Sequence, residues 1–127
     1  MFREDVLKDR VIVITGGGTG LGRAMALRFA DLGGKPFLVG RREQPLRETA
    51  EEIRSHGGTA GFATADVRDF NAVETVVETA ESELGSVDTL VNNAAGNFIA
   101  RTEKLSLNGF NAVVSIVLSG TFHCTLA

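Results

Sequence analysis

The chain has 127 residues, 43% of them hydrophobic, and a net charge of −3 with both signs mixed along its length. That is enough for one domain with a real core, and it offers no basic footprint for nucleic acid or an acidic membrane surface. No apolar run approaches the ~18 residues of a membrane span. Met1 to Asp9 carry mixed charge and lack the apolar h-region of a signal peptide. Cys124 is the only cysteine, which leaves no disulfide framework and no zinc cluster. The expectation is a metal-free protein of the reducing cytoplasm, with Cys124 a small core residue.

The chain alternates between two periods. Arg10 to Thr15, holding Val11-Ile12-Val13-Ile14, is an apolar run without polar alternation, as expected of a parallel strand covered on both faces. Thr15-Gly16-Gly17-Gly18-Thr19-Gly20-Leu21-Gly22 turns the chain into a first helix from Gly20 to Leu32, which Gly33-Gly34 stops. Pro36 to Val39 is a second strand. Gln44-Pro45 opens a second helix, with the proline well placed in its first turn and Leu46, Ala50 and Ile53 on one face. Gly57-Gly58 ends it. Thr59 to Ala65 forms a third strand of small residues around Phe62. Asp69 caps a third helix whose stripe is Phe70, Val73, Val76 or Val77, Ala80 and Leu84, with Gly85 as the stop. Val87 to Val91 is the fourth strand. After a polar link from Arg101 to Ser106, Ser106 caps a fourth helix. Its apolar face is Leu107, Phe110, Val114, Val117 or Leu118, and Phe122. His56 and His123 have no partner spacing for metal or triad work and read as structural.

The order βαβαβαβα, without linker or repeat, predicts an α/β fold, a doubly wound parallel sheet with helices on both faces. Ligands in such sheets sit beyond the carboxyl ends of the strands. Four unusual stretches fall at such ends: the glycine turn, Gly40-Arg41-Arg42, Asp66-Val67-Arg68, and Asn92 to Phe98. The glycine turn is the most telling. Unpaired N–H groups at a helix start seat phosphate, and glycines let the backbone approach a pyrophosphate.

The literal dinucleotide fingerprint G-x-G-x-x-G is absent from Gly16 to Gly22. The spacing present is T-G-x-x-x-G-x-G, with Gly16, Gly20 and Gly22, and it resembles the short-chain dehydrogenase/reductase family. The resemblance assigns Gly16 to the turn, Gly20 to pyrophosphate access and Gly22 to helix–strand packing; Gly18, Thr19 and Leu21 complete the seat. About 20 residues on, an NAD site would place a carboxylate. Here stand Arg41, favoured, and Arg42, whose guanidinium groups can fork onto a 2′-phosphate and point to NADP(H). Asp66 and Val67 resemble the family's adenine pocket. Asn93, Ala94, Ala95 and Gly96 resemble its N-N-A-G segment, with one alanine added.

The run from Asn92 to Phe98, the stretch Thr102 to Ser106 and the run Val117 to Thr121 resemble the 2,4-dienoyl-CoA reductase branch. That branch implies an acyl-CoA substrate and a homo-oligomer, dimer or tetramer. It implies that Asn97 helps hold the thioester carbonyl as a catalytic group, that Phe98 touches the acyl chain and that Arg68 lies near the coenzyme A part. A neutral donor at Asn97 suits the negative charge that hydride delivery builds on the carbonyl oxygen.

Two departures bear on this reading. Val117 stands where most of the family has an asparagine, which favours the dienoyl-CoA branch. The family's Tyr-x-x-x-Lys follows the fifth strand, and this chain holds no tyrosine. The expectation is therefore a single domain over residues 1–127, the N-terminal cofactor-binding half of a Rossmann-type sheet. Such a half binds cofactor weakly, does not turn over, and leaves Val113 to Leu126 uncovered, so that it self-associates or is part of a longer protein. The alternatives are another NADP-linked reductase acting on a 3-oxoacyl or sugar/alcohol substrate, or a non-enzymatic nucleotide-binding module.

Overall fold

The computed structural model describes residues 3, 5–97 and 99–127. Four strands, β1 (Val11–Thr15), β2 (Lys35–Gly40), β3 (Gly61–Thr64) and β4 (Val87–Val91), form one parallel sheet in the order β3-β2-β1-β4. The helices between them are α1 (Gly20–Asp31), α2 (Glu43–Ser55) and α3 (Phe70–Leu84). The sheet is two-sided because neighbouring strand residues point to opposite faces. Ile12, Ile14 and Leu38 meet Ala26 of α1 and Leu46, Ala50 and Ile53 of α2 on one face. Val13, Phe37 and Val39 meet Val76 and Ala80 of α3 on the other. This is why residues 11–14 and 36–39 are apolar runs: both faces are covered, and each large side chain removed from water contributes about 1.5–3 kcal/mol.

The helix ends follow the sequence signals. The Asp69 carboxylate accepts from the Ala72 N–H at 3.2 Å, and the Ser106 hydroxyl accepts from the Gly109 N–H at 3.0 Å. Pro45 sits in the first turn of α2. The third strand is shorter than the expected Thr59 to Ala65, because only Gly61 to Thr64 pair with β2. Its small residues have a steric cause. A Cβ at Gly61 would come within 2.6 Å of the buried Phe37 ring.

β4 is an edge strand with a register shift against β1 between Val11 and Ile12. At this bulge the Asp88 carboxylate accepts from the Val11 N–H at 2.9 Å and from the Arg10 guanidinium at 2.6 Å. Those bonds, the Val11 N–H first, hold its pKa below the usual carboxylate range.

The chain after β4 departs most from expectation. Within the polar link, Thr102–Lys104 forms a 3₁₀ turn. The single fourth helix is instead three continuous pieces: α4 (Leu107–Val114), a π turn (Ser115–Ser119) and α5 (Gly120–Leu126). The side facing the domain carries Ile116, Gly120 and Cys124. The stripe of Leu107, Phe110, Leu118 and Phe122 is exposed, as an uncovered face requires. Among the described residues, this 20-residue helix is also long and apolar enough to cross a membrane by length and composition, which corrects the expectation of no such segment. Counting unbroken apolar runs missed it because Asn, Ser and Gly interrupt the run, although no charged residue does. Its C-terminal end is nevertheless built into the domain through Gly120 and Cys124.

Candidate functional site

The glycine turn, the ends of β2 and β3 and the segment after β4 converge at the carboxyl rim of the sheet. They enclose a cleft of about 380 Å³. Gly16, Gly18 and Thr19 line it from the turn, Arg41 and Arg42 from the end of β2, Asp66 and Val67 from the end of β3, and Asn93, Ala94 and Ala95 from the end of β4. Of the other expected residues, Leu21 is exposed on the first turn of α1 and Gly96 packs against Ile116. Arg68 and Asn97 are exposed just beyond the rim. Phe98 lies outside the described residues.

The turn is built by close approach. Gly16 takes φ +68°, and its N–H donates to the Val39 carbonyl at 2.7 Å, tying the turn to β2. A Cβ at Gly22 would lie 2.2 Å from the Gly16 carbonyl oxygen, so α1 starts against the turn's own backbone. A Cβ at Gly18 would lie 2.9 Å from the Leu46 nitrogen, which brings α2 equally close. At Gly20, by contrast, a Cβ would meet nothing within 4 Å, so the backbone there faces open space. Thr19 caps α1 without a side-chain bond, and no acidic residue stands in the first turn. The helix therefore presents unpaired N–H groups and positive potential to the cleft.

Three residues to which the sequence assigns no site role complete the site. Thr15 is 2% exposed, and its hydroxyl accepts from the N–H groups of Asn93 at 3.0 Å and Ala94 at 2.9 Å. The Asn93 amide reciprocates by donating to the Thr15 carbonyl at 3.0 Å. This interlock fixes the segment after β4 against the glycine turn. Thr49 is buried on α2; its hydroxyl donates to the Pro45 carbonyl at 2.8 Å and lies 3.4 Å from the Gly18 carbonyl. The signal for it was available, since Thr49 shares a face with Leu46, Ala50 and Ile53. Ile116 reaches the cleft from the π turn, and no sequence pattern marks that break.

The charges divide into two sets. Among the described residues Arg41 and Arg42 make no ion pair or side-chain hydrogen bond, so both guanidinium groups are free at the rim. Arg68 is engaged. Its Nε donates to the Asp66 carboxylate at 2.9 Å and 3.1 Å, its Nη2 at 2.5 Å, and its backbone N–H at 3.0 Å. This clasp holds the Asp66 pKa down at about 2, with Arg41 adding a smaller pull. A carboxyl whose folded pKa is depressed contributes stability above its unfolded value, and that contribution is lost as pH falls through the folded value. Asp66 should therefore keep stabilising the loop until pH falls below about 4 and stop near pH 2. Carboxyl NMR titration should show that midpoint, and Arg68→Gln should return it toward an ordinary aspartate.

Chemically, the cleft combines a glycine-floored helix start, two guanidinium groups, and an apolar wall at Val67 beside an ionised carboxylate. Known proteins resemble almost the whole chain. It is 42% identical over 121 residues to a probable 2,4-dienoyl-CoA reductase of Bacillus subtilis, covering 95% of this chain and 48% of that protein. It is 41% identical over 122 residues to a peroxisomal 2,4-dienoyl-CoA reductase of Arabidopsis thaliana, covering 96% of this chain and 41% of that protein. A solved citronellol catabolism dehydrogenase of Pseudomonas aeruginosa superposes with a TM-score of 0.92 at 36% identity, over 99% of this chain and 52% of that one. The chain thus spans about half the length of the relatives it matches. Residues 10–127, from the start of β1 through the π-broken helix, match the short chain dehydrogenase model, and the chain belongs to that family of oxidoreductases.

Proposed function

We propose that the cleft is the NADP(H) seat of an oxidoreductase that reduces an unsaturated acyl-CoA. The observation that carries the cofactor reading is the pair Arg41 and Arg42, free at the end of β2 where an NAD site would hold a carboxylate. The residues fit the group. Gly16, Gly18 and Gly22 pack the turn tightly against the protein while the Gly20 backbone faces open space, the α1 start is uncapped, and Asp66 with Val67 suits an adenine edge and face. When bound, NADPH supplies a hydride. The chain's own part is to hold it: Arg41 and Arg42 on the 2′-phosphate, the α1 N–H groups on the pyrophosphate, and Asn93 to Gly96 along the nicotinamide half. Asn97, whose amide makes no hydrogen bond among the described residues, donates to the thioester carbonyl. Arg68 keeps Nη1 outside its clasp with Asp66, open to a phosphate oxygen of the coenzyme A part. The likeness to two 2,4-dienoyl-CoA reductases over more than nine-tenths of the chain supports the substrate class.

The cofactor reading is tested by titrating the chain with adenosine 2′,5′-bisphosphate against 5′-AMP. The bisphosphate should bind more tightly, and Arg41→Glu should weaken it about 10- to 100-fold while leaving AMP nearly unchanged, the loss of one charge-assisted pair. Equal binding of the two nucleotides overturns NADP(H). The substrate reading is tested by NADPH oxidation with a 2,4-dienoyl-CoA, using the protein in which this chain occurs. The close fit to a citronellol catabolism dehydrogenase favours a second reading, an NADP-linked oxidoreductase of alcohols or ketones. Oxidation of NADPH with ketones and not with dienoyl-CoA would select it.

A further inference from the structure

The wall of the cleft at Asp66–Val67 is held from outside the cleft. This loop runs between β3 and α3, and among the described residues two backbone–backbone bonds anchor it besides the Arg68 N–H on the Asp66 carboxylate. Ala65 donates to the Gly40 carbonyl at 3.0 Å, and Asp69 donates to the Asp66 carbonyl at 2.9 Å. The Val67 carbonyl takes neither. Its bond among the described residues is to His123 of α5, whose Nδ1 lies 2.9 Å away. The imidazole is itself oriented, standing edge-on to Phe70 with ring centroids 5.8 Å apart and planes at 68°. The Val67 side chain is gripped by the same helix. It packs with Val73 and Cys124, and a Cβ at Gly120 would lie 2.6 Å from its Cγ2. The carbonyl, the side chain and the helix backbone thus meet at one residue of the cleft wall.

We infer that His123 is a positioning residue for nucleotide-base binding: through the Val67 carbonyl it sets the peptide that presents the apolar wall and the Asp66 carboxylate to a purine. A carbonyl only accepts, so Nδ1 carries the proton and the neutral ring is the Nδ1–H tautomer, with Nε2 left as the free nitrogen. Because the protonated ring also donates from Nδ1, the bond survives acid and is a fixed strut. The inference rests on the nucleotide reading of the cleft and adds to it a residue that touches no ligand.

The test uses the 127-residue chain and three proteins: wild type, His123→Ala and His123→Asn. Asparagine can place its amide N–H where Nδ1 stands, so it is the conservative variant. In NMR titrations with adenosine 2′,5′-bisphosphate, His123→Ala should bind about three- to tenfold more weakly, the scale of one net hydrogen bond, and His123→Asn should recover most of that. Binding of inorganic pyrophosphate, which has no base, should be alike in all three proteins. Imidazole nitrogen spectra of the wild type should show the Nδ1–H tautomer. If His123→Ala is poorly folded, the tautomer and the His123→Asn affinity still decide. An Nε2–H tautomer, or a variant that loses pyrophosphate and nucleotide equally, overturns the positioning role while leaving the cleft a nucleotide seat. A wild-type chain that binds pyrophosphate but shows no preference for the adenine nucleotide overturns both.

Discussion

Replacing Gly22 with alanine should destabilise the fold by about 3–5 kcal/mol, more than ordinary overpacking, because the new methyl would strike backbone that cannot yield as well as the Asn93 amide. The obstruction is the Gly16 carbonyl oxygen, 2.2 Å from where the Cβ would stand, with the Gly16 carbonyl carbon at 2.8 Å. Relief requires α1 to lift away from the turn. That would separate the α1 start from the cleft and pull Ala26 from the apolar layer it shares with Ile14 and Leu38. Urea denaturation should show the midpoint falling with an unchanged slope. Gly20→Ala is the control. Gly20 has φ +53° and empty space around its Cβ position, so alanine there pays only for the left-handed backbone, about 1–2 kcal/mol. If the two variants were equally stable, steric contact at Gly22 would not govern the turn.

The second large effect is expected at Thr15. Thr15→Val keeps the shape and removes the hydroxyl that accepts from Asn93 and Ala94. The half-buried Ala94 N–H would then be left without its partner, whereas the Asn93 N–H keeps the Val91 carbonyl at 3.0 Å. The expected loss is about 1–3 kcal/mol, against about 1 kcal/mol or less for Thr15→Ser, which keeps the oxygen. Beyond stability, the valine variant should free the segment from Asn93 to Gly96. Nucleotide binding would then weaken even in protein that remains folded. Thermal melts give the first readout and titration with adenosine 2′,5′-bisphosphate the second. A valine variant that melts like the wild type would show that the interlock contributes nothing.

The strands, the first three helices and the helix caps were legible in the sequence because their signals are local. Val11 to Ile14 reads as a doubly covered strand because both neighbours along the chain are apolar, and it is buried on both faces. Asp69 and Ser106 read as caps because capping depends on a spacing of three residues. The rim was legible for a topological reason: strand ends in a parallel sheet all point to one edge. What could not be read were relations across the chain. Thr15 looks like the last residue of a strand until β4 is placed beside it. His123 looks like an unpartnered histidine until Val67 arrives. The π turn has no composition of its own. At it Ile116 seats against Gly96 and Gly120 against Val67, contacts invisible to helical periodicity.

The interlock between β1 and β4 also fixes an order of events. Its partners lie 76 to 79 residues apart. The β1–α1–β2 unit can form from neighbouring sequence, whereas the cleft has no fourth wall until β4 has crossed the whole span and docked beside β1. Contacts of such separation are made late in folding, after their loop-closure entropy has been met by nearer ones. On a ribosome, the glycine turn emerges long before the segment that completes it. The rim of the cleft at β1 and β4 is therefore complete only after Asn93 and Ala94 have closed on Thr15.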